Sequence, residues 1–179
     1  GARHDYANVL YRRGKYKDAE NLLQETCKLQ SQNPSLGPGH ADTLRCRSNF
    51  ALMVYSRGDY AEAEKLLREV VREQTDILGP NHPDTLRSTG SLARTEYRQG
   101  KHIEAYDRLR NTMKRQAKQL GRRHPDTLRS MSSLGRVAYR LGKYDAAAEM
   151  FNEAIKWQAV VLGEENCDTL RSKCGLART

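Results

Sequence analysis

One hexapeptide returns four times at a fixed interval. His40-Ala-Asp-Thr-Leu-Arg45 recurs as His82-Pro-Asp-Thr-Leu-Arg87, His124-Pro-Asp-Thr-Leu-Arg129 and Asn166-Cys-Asp-Thr-Leu-Arg171, each 42 residues after the last. A strict period of this length restricts a chain to a repeat architecture, because a unit so small buries its apolar face only by stacking on its neighbours. Gly58, Gly100 and Gly142 keep the same 42-residue beat, as do Leu78-Gly79, Leu120-Gly121 and Leu162-Gly163. Gly14 precedes Gly58 by 44, and the two extra residues fall in the loop-forming stretch from Gln30 to Ser35, which marks that segment as surface.

Each unit reads as two helices. Asp84 or Thr85 is placed to cap the first by accepting a backbone N–H bond, and Gly100 supplies the left-handed residue that ends it. Asp126 or Thr127 and Gly142 repeat the arrangement. Leu86, Gly90, Ala93 and Tyr97 follow the spacing of a buried helical stripe, and a second helix from about 101 to 120 carries Ala105, Leu109 and Met113. Strand-like alternation is absent. The chain has 179 residues, 37% of them hydrophobic with tyrosine included. That is below the ~45–50% of an ordinary globular domain, so a thin, elongated architecture fits better than a thick central core.

Seven residues before each turn glycine stands Ala7, Ala51, Ala93 or Gly135, preceded by Tyr6, Phe50, Leu92 or Leu134. Two after it come Tyr16, Tyr60, His102 and Tyr144; five after, Ala19, Ala63, Ala105 and Ala147; nine after, Leu23, Leu67, Leu109 and Phe151. This order of large, small, glycine, aromatic, alanine and large residues resembles the tetratricopeptide repeat. Its second helix is longer than usual and a Leu-Gly-x-x-His-Pro-Asp-Thr-Leu connector is added, a form similar to the 42-residue units of kinesin light chains and of the C-terminal arrays of NB-ARC or STAND-type signalling ATPases. The resemblance implies an all-α, right-handed superhelical solenoid of stacked antiparallel helix pairs. It divides the chain into repeats at 1–40, 41–82, 83–124 and 125–166, followed by the start of a further helix at 167–179. Both ends read as cut from a longer protein, so apolar surface is expected at each, with self-association through the uncapped ends.

Several function classes are disfavoured. No apolar run approaches the ~20 residues of a membrane-spanning helix. Cys27, Cys46, Cys167 and Cys174 lack paired metal-ligand spacing and are expected to be reduced thiols in a cytoplasmic protein, not a disulfide scaffold. His40, His82 and His124 occur once per repeat, too far apart to share a metal, and are expected to bond local backbone, as Asn166 can. No phosphate loop or nucleophile elbow occurs. The reading is a non-enzymatic protein with no cofactor or metal.

The chain carries 31 basic and 22 acidic residues, a net charge of +9. Arg87, Arg94 and Arg98 project within about 40° of one another on a helix, as do Arg129, Arg136 and Arg140. Arg45, Arg87, Arg129 and Arg171 form a ladder from repeat to repeat. By resemblance, the first helices line the concave wall, so these guanidiniums are expected to point into a groove, where like charges repel and an anionic ligand would neutralise them. Of the second helices, 59–78 is net acidic and 101–120 net basic. Guanidinium forks suit carboxylates, and Tyr55, Tyr97 and Tyr139 flank the row. The expected partner is an acidic peptide or protein segment, in agreement with what the kinesin-light-chain resemblance implies. Asn8, Asn49 and Arg87 also match positions of a chaperone-tail clamp, but His4 and Ser91 depart from it. A sensing or autoinhibitory arm of a STAND-type ATPase is the alternative, and nucleic acid is disfavoured by an aromatic content of only 7%.

Overall fold

The computed structural model describes residues 2–179, without the side chains of Ala2, His4, Asp5, Asn8 and Arg12. The described residues form helices and connectors, with no strand among them. In chain order the helices are α1 (Ala2–Arg12), α2 (Tyr16–Gln32), α3 (Ala41–Arg57), α4 (Tyr60–Leu78), α5 (Pro83–Arg98), α6 (His102–Leu120), α7 (Pro125–Arg140), α8 (Tyr144–Leu162) and α9 (Cys167–Leu176). Helices α1 and α2, α3 and α4, and α7 and α8 pack as consecutive pairs. Two compact units result, one ending at Thr95 and the other running Glu96–Thr179.

Connector chemistry explains where the odd-numbered helices start. Nδ1 of His40, His82 and His124 accepts the backbone N–H of Asp42, Asp84 and Asp126 at 3.1, 3.2 and 3.2 Å, and Oδ1 of Asn166 accepts that of Asp168 at 2.9 Å. Each bond satisfies a backbone donor that the helix itself leaves unpaired. The cap is therefore the histidine, not the aspartate or threonine that the sequence suggests. The aspartate instead stands in the first turn, where the helix dipole favours a negative charge. The threonine turns back: Thr127 and Thr169 donate to the carbonyls of Gly121 and Gly163, each at 2.9 Å. Gly121 and Gly142 have φ of 93° and 72°, a region in which other residues are strained, so the 42-residue glycine beat marks helix ends.

In the first unit, α2 packs on α1 and α3, and α4 packs on α3. Ala7, Leu10, Ala19 and Leu23 form one buried cluster against Phe50 and Met53; Ala51, Leu67 and Leu92 form the next. Small residues let the helix axes approach and the leucines fill the remaining space. Cys27 on α2 and Cys46 on α3 form a disulfide, with Cα atoms 5.6 Å apart. This corrects the expectation of four reduced thiols; among the described residues the free cysteines are Cys167 and Cys174. The pairing is invisible as spacing, because Cys27 takes a position held elsewhere by Val71, Met113 and Ile155, and Cys46 one held by Ser88, Ser130 and Ser172. Only the packing of α2 on α3 brings them together.

In the second unit α7 lies against α6 and α8, and α9 packs on α7 and α8. Ala138, Ala147 and Phe151 are buried at its centre with Tyr106, Tyr139, Ile155 and Leu176 around them. A polar seam crosses this apolar interior: the Ser172 hydroxyl lies 2.7 Å from both Ser132 Oγ and Gln158 Oε1. Ser48 and Ser88 make the same kind of contact in the first unit, at 2.9 Å. Such bonds fix the register of neighbouring first helices, because a slipped helix would leave buried hydroxyls unpaired. Glu96 is fully buried, and Arg108 meets it with Nε and Nη2 at 2.8 and 2.9 Å. The two parallel bonds compensate the cost of removing the carboxylate from water.

Candidate functional site

Within the first unit, Arg45 and Arg87 sit at the starts of α3 and α5 and pair with Asp42 and Asp84, the latter at 3.0 Å. Arg94 lies two turns further along α5, half-buried, its Nη2 donating to Ser91 Oγ at 3.1 Å. Asn49 and Tyr55 are half-buried on α3, and the Tyr55 ring packs on Tyr60 with centroids 5.4 Å apart. Asn8 lies outside the described side chains. Arg47 is drawn away to Glu73 on α4.

The second unit shows the same first-helix surface more completely. Along α7 after its first turn nearly everything is buried, and the residues that reach solvent are Arg129, Arg136, Tyr139 and Arg140. Arg129 is held from two sides, by Asp126 on its own helix and by Asp168 on α9, each at 3.2 Å. Arg136 donates from Nη2 to Ser133 Oγ at 2.9 Å. Arg140, exposed, donates from Nε to the Tyr97 hydroxyl at 3.4 Å, and that phenol pushes the already high guanidinium pKa further up by hydrogen bonding and charge. Arg98 is exposed at the end of α5. Tyr97 packs on His102 and Tyr139 on Tyr144, at 5.3 and 5.4 Å. The Tyr97–His102 packing braces the hydroxyl that orients Arg140.

The structure thus brings Arg140 and Tyr97 together across neighbouring first helices, with Arg136 one turn away. The ladder of Arg45, Arg87, Arg129 and Arg171 behaves otherwise. Each pairs with an aspartate three residues earlier, and Arg129 and Arg171 share Asp168. Read from sequence, these aspartates are caps and the ladder is uncompensated positive charge; with histidine as the cap, the carboxylates are available to the arginines. Positions three apart face each other on a helix, and that spacing is the signal in the sequence that points to the pairing.

No described helix is long and apolar enough to cross a membrane. Among the described residues no three metal-ligating side chains stand close enough to share an ion.

Helix pairs, glycine turns and a repeated helix-capping connector define an all-α helical-repeat protein. Models of the tetratricopeptide repeat match residues 1–32, 43–84 and 90–158. Two crystal structures of the nearly identical TPR-like repeats of a putative kinesin light chain from Podosopora anserina, one of them a single-substitution variant, are each 30% identical to the chain. They superpose with TM-scores of 0.78 and 0.77, covering 99% of this chain and 82% and 83% of theirs. BtubC (BKLC) from P. vanneervenii shares the fold at 15% identity, with a TM-score of 0.80 over 96% of this chain and 68% of its own. No curated protein matches the sequence. The chain belongs to the tetratricopeptide-repeat family, in its kinesin-light-chain-like form. Repeats of this family mediate protein–protein interaction.

Proposed function

We propose that the chain is an interaction scaffold that takes an extended acidic segment of a partner protein along the first-helix surface, with Arg136 and Arg140 as anchors and Tyr97 and Tyr139 beside them. In the first unit, taken by itself, Arg94 and Asn49 are half-buried on α5 and α3. The observation that carries this reading is the state of Arg140: its exposed guanidinium is oriented by the Tyr97 hydroxyl and has no carboxylate partner among the described residues. An oriented fork loses less side-chain freedom on meeting a carboxylate than a mobile one does.

Ion-paired arginines serve a different end. Arg45, Arg87 and Arg129 would have to exchange an existing aspartate for an incoming carboxylate, which gains little, so their role is to fix the starts of α3, α5 and α7. Nothing in this arrangement calls for a reaction; the reading is of a binding protein without catalysis.

Fluorescence anisotropy with a labelled glutamate-rich peptide at low salt tests the proposal. Arg140→Glu, an exposed substitution, is expected to weaken binding about tenfold. Unchanged affinity would overturn the assignment.

A further inference from the structure

The second helices differ sharply in charge. Helix α4 carries five acidic side chains against three basic, α8 three against one, and α2 three against two. Helix α6 reverses the sign, with Arg108, Arg110, Lys114, Arg115 and Lys118 against Glu104 and Asp107. Of these cations, Arg108 is committed to the buried Glu96. The other four are exposed, as is Arg122 just beyond the helix, and none makes an ion pair among the described residues. Both acids lie in the first half of α6, so its second half is wholly basic. The helix dipole favours cations at such an end, yet α2, α4 and α8 have no basic residue in their last turns. The dipole alone does not account for α6.

We infer that the outer face of the second half of α6 is a second docking surface, taking an acidic helix of a partner protein. Arg110, Lys114 and Lys118 are four residues apart, which places their stems about 6 Å apart along the axis and within about 80° around it. A partner helix with glutamates at every fourth position repeats at that same pitch, so successive carboxylates meet successive cations. Asn111 and Gln119, also exposed, supply neutral hydrogen-bonding groups beside the row. The large exposed apolar residue of α6, Ile103, stands in its first turn, away from the row, so the surface lacks the apolar stripe of a lipid-binding helix. It also lacks the exposed aromatics on which single-stranded bases stack. Its geometry is independent of the Arg136–Arg140 surface, and the two assignments can fail separately.

The test uses the full chain and a fluorescein-labelled alanine-rich helix with glutamate at every fourth position. A peptide of the same composition with glutamates two apart and a twelve-nucleotide single-stranded DNA serve as competitors. In 50 mM salt, Lys114→Glu with Lys118→Glu is expected to weaken the spaced helix at least tenfold, and the charge-matched control Lys28→Glu with Lys65→Glu, on exposed residues of α2 and α4, less than twofold. Circular dichroism and Trp157 fluorescence verify the fold. Equal binding by the double variant, or no binding by the unaltered chain, would overturn the inference. So would equal affinity for the differently spaced peptide or the oligonucleotide, since either would reduce the surface to unspecific attraction.

Discussion

A Cβ added to Gly135 would stand 3.2 Å from the ring of Phe151 and 3.4 Å from the carbonyl of Ala147. In the equivalent places the other repeats hold alanine with leucine: Ala7 with Leu23, Ala51 with Leu67 and Ala93 with Leu109. The larger ring on α8 is accommodated by deleting a methyl from α7. Gly175 on α9 also meets the tip of this ring, where a Cβ would stand only 2.5 Å away.

A double-mutant cycle measures the packing of Phe151 on Gly175. Glycine inside a helix costs roughly 1 kcal/mol relative to alanine, so Gly175→Ala in a Phe151→Leu background is expected to be neutral or stabilising. With Phe151 present the same substitution destabilises, giving a coupling of about 1 kcal/mol or more in chemical denaturation. Additive effects would contradict the packing relation.

The histidine caps predict an asymmetric substitution series. His82→Ala removes the acceptor for the Asp84 N–H and should cost about 1 kcal/mol, whereas His82→Asn should cost a few tenths, since Asn166 makes the same bond at the fourth copy. Thermal melts of the two variants separate a capping role from a packing one. Equal losses would mean that the ring, not its nitrogen, matters.

The Cys27–Cys46 bridge joins residues 19 apart in sequence, a loop for which chain entropy gives about 3 kcal/mol of stabilisation. Adding a reductant, or substituting Cys27→Ala, should lower the stability of the first unit and leave that of the second, monitored through Trp157, unchanged. Mass spectrometry without reductant is expected to find two alkylatable thiols, Cys167 and Cys174. Alkylation at all of the cysteines would contradict the bridge.

Much of this architecture is legible in the sequence because period and small residues report backbone approach directly. Ala51, Ala93 and Gly135 announce close helix contacts, and the glycine beat announces helix ends. What escapes is chemistry that depends on which atom faces which. His82 and Asp84 are both competent caps in one dimension, and their division of labour emerges only when the imidazole nitrogen is placed over the first turn. The same ambiguity hides the aspartate partners of Arg45, Arg87 and Arg129. Cys27 and Cys46 look like isolated substitutions until α2 is packed on α3. The basic balance of residues 101–120 can be read from sequence, but that Arg108 is committed to a buried carboxylate while Lys114 and Lys118 are not requires the fold.

The claim that Arg136 and Arg140 form the anchor for an acidic partner is tested most directly by titrating a labelled, extended glutamate-rich peptide bearing one aromatic residue into three proteins. These are the unaltered chain, the variant with Arg136→Glu and Arg140→Glu, and the variant with Lys114→Glu and Lys118→Glu, all of matching helicity. The account predicts a loss of at least tenfold in affinity for the first-helix variant and less than twofold for the α6 variant. Equal losses in the two, or none in the first, would contradict it.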